Sequence, residues 1–205
     1  MKRIAIFIPT MRAGGAEKQA AILASLLSRQ FDVTLIVFHG ELGINTGNME
    51  YLKDTSVRRM LLAGSYFHKL KLLYREFENT DILFNYLTFC DFVGGLLARC
   101  RKVEQIYSGI RCQKMSAWKI LLEKIGAKAA TKVIFNSHNG RDSLGDRISD
   151  KSKQVVIPNC LFSESKFNSR PDKDKKTIVT VARFVPEKDF ETALRSIKEL
   201  SLKRN

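Results

Sequence analysis

Apolar positions along the chain fall into short continuous runs separated by segments of helical period. Residues 4–8 (I-A-I-F-I) are uninterruptedly apolar, the mark of a strand buried on both faces. Gly14-Gly15 follow, and across 16–29 Ala20, Leu23, Ala24 and Leu27 recur on one helical face. Residues 33–38 (V-T-L-I-V-F) predict a second strand and 57–62 a shorter one. Between them, residues 40–50 carry three Gly and two Asn and read as loop. A helix is expected over 66–77, where Leu70, Leu73 and Phe77 stand three and four apart. The alternation continues with strand 81–87, helix 92–99, strand 104–107, helix 115–130 and strand 131–136. Ser137 is placed to cap a helix running to Leu144, and strand 155–157 is stopped by Pro158. Such spacing predicts an α/β fold with a doubly wound, mostly parallel, Rossmann-like sheet.

The pattern breaks at 163–176 (S-E-S-K-F-N-S-R-P-D-K-D-K-K), a polar stretch with Pro171 that reads as a linker. It restarts with an apolar run at 177–182 and a helical pattern over 189–202. One strand and one helix cannot make a sheet. The expected organisation is therefore a first Rossmann-like domain over 1–162, the linker, and over 177–205 the first strand and helix of an incomplete second Rossmann-like domain.

Composition narrows the class. Of 205 residues, 44% are hydrophobic and 27% charged, which excludes a disordered tail, a collagen and a disulfide miniprotein. Thirty-five Lys and Arg against 21 Asp and Glu leave a formal net charge of +14, which implies an anionic partner. The longest nearly apolar stretch, 20–27, is far short of the roughly 20 residues that cross a bilayer. The apolar run at the N-terminus is too short for a secretory leader and ends in Pro9. Cys90, Cys100, Cys112 and Cys160 form no CxxC pair and are expected to be reduced core thiols of a cytoplasmic protein.

Positive charge concentrates between Arg99 and Lys153, with 13 basic residues against 5 acidic ones. Within this stretch Met115, Trp118, Leu122 and Ile125 share one helical face, with Lys119 and Lys124 elsewhere. That face either packs on the protein's own sheet or lies on an anionic membrane surface. Nucleic-acid recognition would need interleaved aromatics or a binding module, and neither is present, so no nucleic-acid partner is expected.

Two segments carry candidate chemistry. Gly14-Gly15, between a strand and a helix, let backbone N–H groups and a helix dipole face an anion, or form a tight turn that binds nothing. In V-A-R-F-V-P-E-K-D (181–189), Arg183 falls at the end of the expected strand and Lys188 at the entry to the next helix. Cations at the carboxyl end of a strand suit a diphosphate; the alternative is a solvated loop. His39, His68 and His138 lie on different elements without metal spacing, so no metal is expected. Scattered carboxylates exclude a paired glycosidase site, no Ser/His/Asp set is recognisable, and no catalytic residue is assigned.

In order and spacing, four segments resemble family 4 glycosyltransferases. Gly14-Gly15-Ala16-Glu17 is similar to the family's Gly-Gly-Ala-Glu signature, Ile134-Phe135-Asn136-Ser137 to its strand-then-Asn-Ser segment, and Val156-Ile157-Pro158-Asn159 to its V-I-P-N stretch. Residues 181–189 resemble its V-G-R-L-x-x-E-K-G donor motif, with Ala182 and Asp189 standing where the family has Gly. Many members carry a His after the fourth strand, where this chain has Asn85-Tyr86-Leu87-Thr88-Phe89. The likeness runs from end to end of the chain but spans only the first half of the family's glycosyltransferase-B fold, two facing Rossmann-like domains.

What the resemblance implies is a retaining hexosyltransferase. It would move a sugar from a nucleotide-sugar donor to a glycan or lipid-linked acceptor in cell-surface polysaccharide or lipopolysaccharide biosynthesis, without cofactor or essential metal. Gly14, Gly15, Arg183 and Lys188 would bind the donor diphosphate. Gly15 and Glu17 would shape the acceptor side, Glu17 by anchoring the first helix. Implied partners are the nucleotide-sugar, the acceptor, an anionic membrane at the inner face of the plasma membrane, and a separate chain supplying the missing donor domain. A truncated non-catalytic acceptor domain and a phosphate-binding module without turnover are the alternatives left open.

Overall fold

A computed structural model describes residues 1–160, 178–182 and 184–202, and the chain divides into two compact units, Met1–Phe162 and Ser163–Asn205. The first unit is a seven-stranded sheet, all parallel, in the order β3-β2-β1-β4-β5-β6-β7. Its strands are β1 (Arg3–Ile8), β2 (Asp32–Val37), β3 (Arg58–Leu61), β4 (Ile82–Tyr86), β5 (Gln105–Ile110), β6 (Lys132–Phe135) and β7 (Gln154–Val156). The helices between them are α1 (Gly15–Leu27), α2 (Thr46–Glu50), α3 (Tyr66–Glu76), α4 (Leu87–Cys100), α5 (Ala117–Ala129) and α6 (His138–Ile148). This is the doubly wound Rossmann-like architecture that the alternation predicts.

Continuous apolar character follows from position in the sheet. β1 is central: Ile4 pairs with Val33 on one side and Ile82 on the other, and residues 4–8 are all buried. Side chains of alternate parity feed two cores. Ile4, Ile6 and Ile8 pack with Leu35 under α1, whose Ala20, Ala21 and Ala24 present a face small enough for close approach. Ala5, Phe7, Ile36 and Leu83 pack on the other face under α3, α4, α5 and α6. The outer strand β3 carries Arg58 and Arg59, both exposed, and charged residues on an edge discourage pairing with another chain.

Four expectations are corrected. Helix α4 begins at Leu87, directly off β4, five residues before its expected start. Segment 40–50 is not bare loop but holds a one-turn 3₁₀ helix (Gly40–Leu42) and α2. The inward face of α5 is Ile120, Glu123, Gly126 and Ala127, so Trp118, which was expected to share an apolar face with Met115, Leu122 and Ile125, stands 60% exposed. Of the four free cysteines only Cys90 is a core thiol; Cys112 is partly buried, and Cys100 and Cys160 are exposed.

In the second unit, residues 178–182 are exposed and pair with no strand, although an apolar run there predicts one. A strand needs a neighbour, and this unit has none among its described residues. A 3₁₀ turn (Pro186–Lys188) then leads into α7 (Phe190–Leu202). The whole of the expected linker, 163–176, and Arg183 lie outside the described residues.

Candidate functional site

Because every strand points the same way, the segments that leave them all emerge on one edge. In an open α/β sheet the crevice opens where strand order reverses, here between β1 and β4. Helix α1 starts at that point. Gly14 is its N-cap, extended at φ −172 and ψ 159, with no side-chain cap bond. That φ suits any residue, and a Cβ there would meet only the Glu17 carboxylate, the movable end of a flexible side chain. Gly14 and Gly15 are exposed and no side chain at the N-cap bonds the first-turn N–H groups of α1, which leaves them to a ligand.

The loop before these glycines is braced. Thr10 Oγ1 donates to Glu17 Oε1 at 3.2 Å, tying the loop to the helix. Asn48 Nδ2 donates to Arg12 O at 2.9 Å, and Asn45 N to Met11 O at 2.8 Å. Met11 itself is fully buried. Residues 45–48, which the sequence presents as loop, are what fix this corner.

Beyond β4 and β5 the same edge is organised by Arg111. Its guanidinium lies 4.3 Å from the centroid of the Tyr86 ring, and Nη1 donates to Asn159 Oδ1 at 2.7 Å. Asn159 of the V-I-P-N segment is thus held to β5. Gln19 binds the Cys160 backbone twice, Nε2 to O at 2.6 Å and Oε1 from N at 3.0 Å, which ties α1 to the end of the β7 segment. These contacts frame a cavity of about 200 Å³ floored by Phe84, Tyr107, Ile134 and Ile157. Phe84 and Tyr107 stack at 4.8 Å. Burial pushes the Tyr86 hydroxyl up, with Arg111 opposing it. Arg111 escaped sequence reasoning because one Arg after a strand carries no pattern.

Leu87, the first residue of α4, takes φ +72, a left-handed conformation costly for a branched side chain. It lies at the reversal point, in the segment where a His was sought and none is found. Further along the edge, Ser137 caps α6 as expected, its Oγ accepting from Gly140 N at 3.1 Å.

Beneath this edge two carboxyls are fully enclosed. Asp91 on α4 and Glu123 on α5 are 0% and 1% exposed. Burial pushes both above the ordinary carboxylate range, and the Glu123 charge pushes Asp91 further. Asp91 Oδ1 accepts from Gly109 N at 3.0 Å, joining α4 to β5. The sequence showed only two unrelated acidic residues here.

A second group was also missed. At the end of β2, His39 Nδ1 lies 3.2 Å from Glu41 Oε1, and the same oxygen accepts from Lys69 Nζ at 2.6 Å. His68 and His138 take no part. Among the described residues no cluster of His, Cys, Asp or Glu is arranged to hold a metal ion.

In the second unit, Lys188 closes the 3₁₀ turn with its side chain exposed. Asp189 follows in the left-handed region at φ +44, a conformation that favours glycine. Its Oδ1 accepts from Thr192 N at 3.2 Å and caps α7.

No family model and no curated protein matches the sequence. Solved structures do. Anabaena Alr3699/HepE in complex with UDP-glucose superposes at a TM-score of 0.66 with 12% identity, covering 78% of this chain and 44% of that one. The lipopolysaccharide outer core galactosyltransferase WaaB superposes at 0.57 with 13% identity, covering 85% and 50%. UDP-N-acetylglucosamine 2-epimerase from Rickettsia bellii superposes at 0.53 with 11% identity, covering 78% and 45%. The chain thus spans about half the length of the structures it matches. At these identities the likeness establishes the fold: a Rossmann-like half of the glycosyltransferase-B type.

Proposed function

We propose that the chain is the acceptor-side half of a nucleotide-sugar-dependent glycosyltransferase of family 4, with the opening segment of the donor half. The observation that carries this reading is the glycine-opened N-terminus of α1 at the strand-order reversal of a sheet that matches HepE, solved with UDP-glucose, and the galactosyltransferase WaaB. The four motif segments agree with it in order and spacing.

Roles follow from the chemistry of the side chains. The uncovered N–H groups at Gly14 and Gly15 meet a donor phosphate, with a dipole contribution of about 0.3–1 kcal/mol per charge. Lys188 supplies a point charge and Arg183 a planar fork to the diphosphate. They neutralise the charge that develops as the nucleotide leaves, the part a metal would otherwise play, and the hexosyl group passes to the acceptor with the retention that the family resemblance implies. Glu17 holds the corner in shape on the acceptor side, beside Gly15.

The acceptor is a glycan or a lipid-linked glycan. No helix among the described residues is long and apolar enough to cross a membrane. The exposed Trp118 and Leu121 on α5, with Lys119 and Lys124 on the same helix, suit an anionic membrane surface beside such an acceptor. The rest of a donor domain, supplied by further polypeptide, would complete the enzyme. The epimerase match favours a second reading, a nucleotide-sugar-binding module that carries out no transfer.

Calorimetric titration of the chain with UDP and UDP-glucose tests donor recognition. Binding that Lys188→Ala and Arg183→Ala each weaken about tenfold is expected from the loss of a charge-assisted bond. Undiminished binding in both variants would remove the assigned roles. Transfer to a lipid-linked acceptor by the chain, alone or with a complementing donor domain, separates the transferase from the module. Salt-insensitive behaviour towards vesicles of anionic lipid would remove the membrane partner.

A further inference from the structure

We infer that His39, Glu41 and Tyr66, at the carboxyl edge of β2, form a binding site for a neutral sugar ring, with Lys69 as a positioning residue. The inference rests on the transferase reading only for the ligand's identity as a glycan acceptor; sugar binding itself does not depend on it.

The place is set by the sheet. His39 follows β2, and its N–H donates to Pro9 O at 2.8 Å, beside the corner that leads to Gly14. The 3₁₀ turn carries Glu41, and the first turn of α3 carries Tyr66 and Lys69. All three segments lie on the edge where ligands bind an open α/β sheet.

The chemistry is that of a polyhydroxylated, uncharged ligand. Tyr66 stands 60% exposed, with its ring 5.8 Å from the His39 ring, and offers an aromatic face to the C–H side of a pyranose. Glu41 is half exposed, and one oxygen receives both Lys69 and His39. Among the described residues no other side chain engages its second oxygen, or Nε2 of His39. A carboxylate oxygen and an imidazole nitrogen side by side suit a pair of neighbouring hydroxyls.

Charge decides between ligand classes. An anionic ligand would meet the Glu41 carboxylate, and a cation would find that carboxylate's charge already offset by the Lys69 ammonium 2.6 Å from it. Lys69 is 1% exposed, with Nζ 5.1 Å from the centroid of the Phe38 ring, so it acts only through Glu41. It holds the Glu41 carboxyl down at about 2, ionised across the working range. Burying a cation is costly, and here the Phe38 ring and the Glu41 carboxylate offset that cost, which fixes the exposed acceptor in one orientation.

The test is an amide NMR titration of the full chain with maltose, lactose and methyl α-mannoside, with inorganic phosphate as comparator. At least one saccharide is expected to produce saturable shifts at residues 39–41 and 66–69. Tyr66→Ala and Glu41→Gln should each weaken that binding about tenfold, as for one lost charge-assisted or aromatic contact. Tyr66 is exposed enough that its variant stays folded. Lys69→Met should return the Glu41 carboxyl towards its ordinary range by carbon-13 NMR and weaken binding more at pH 4 than at pH 7; an unmoved carboxyl would remove the positioning role. Saccharides that move none of these amides, shifts indifferent to Tyr66→Ala, or phosphate binding at the same residues would overturn the site. UDP-glucose is titrated separately. Its failure with saccharide binding intact removes the transferase reading and leaves the site, and the converse removes the site alone.

Discussion

Single residues carry the sharpest energetic consequences. Asp91 and Glu123 both have raised folded-state pKa values, so between their ordinary values, about 4, and those raised values the folded chain holds more protons than the unfolded one. The stability they allow is complete below that window and is lost as pH rises through it. Glu123→Gln removes one of the two charges. Denaturant midpoints should therefore change little at pH 4 and rise in the variant at pH 8; a variant less stable at pH 8 would show that the carboxylate is welcome there. Asp189 makes a second case. Asp189→Ala keeps the left-handed backbone without Asp's local bond and loses the cap of α7, a combined cost of about 2 kcal/mol. Asp189→Gly loses only the cap. Amide exchange in residues 190–196 should quicken more in the alanine variant than in the glycine variant.

Among elements, α4 and α5 are the closest pair. Gly126 on α5 faces the backbone of Asp91, where a Cβ would come within 2.6 Å of the carbonyl oxygen. Gly126→Ala must push the helices apart and disturb the enclosed acidic pair, and is expected to destabilise by about 1–3 kcal/mol. A thermal midpoint within a degree of the parent would contradict that packing. The same contact explains what could be read beforehand and what could not. Helices α1 and α3 declared themselves through periodic apolar residues over a polar far side. Helix α4 declared only its second half, 92–99, because Thr88 and Phe89 before it favour strands in isolation; Gly94 and Gly95, inside the expected helix, are where other elements approach. Its early start is a tertiary effect, set by Leu87 at positive φ. On α5 the alternative in which the expected apolar face packs on the sheet fails at Trp118, because the inward positions are Ile120, Glu123, Gly126 and Ala127.

At the scale of the whole molecule, the alternation of strand and helix was enough to specify a parallel doubly wound sheet, and the glycine corner was visible as a motif. The ends of strands were less legible. Arg111, His39 and Lys69 are ordinary residues until the sheet places them beside Tyr86 and Glu41. The grammar of a sequence is local, whereas a site on the carboxyl edge is assembled from segments dozens of residues apart.

The central place of β1 has a consequence for how the chain is made. Ile4 leaves the ribosome early, yet its partner Ile82 is synthesised only after β2, β3 and α3. Until then one flank of β1 carries unsatisfied amides and a bare apolar surface, the state in which nascent polypeptides recruit chaperones or clump. Arrested chains that end before β4 should remain open to protease around β1. Those in which β4 and α4 have cleared the exit tunnel should become resistant.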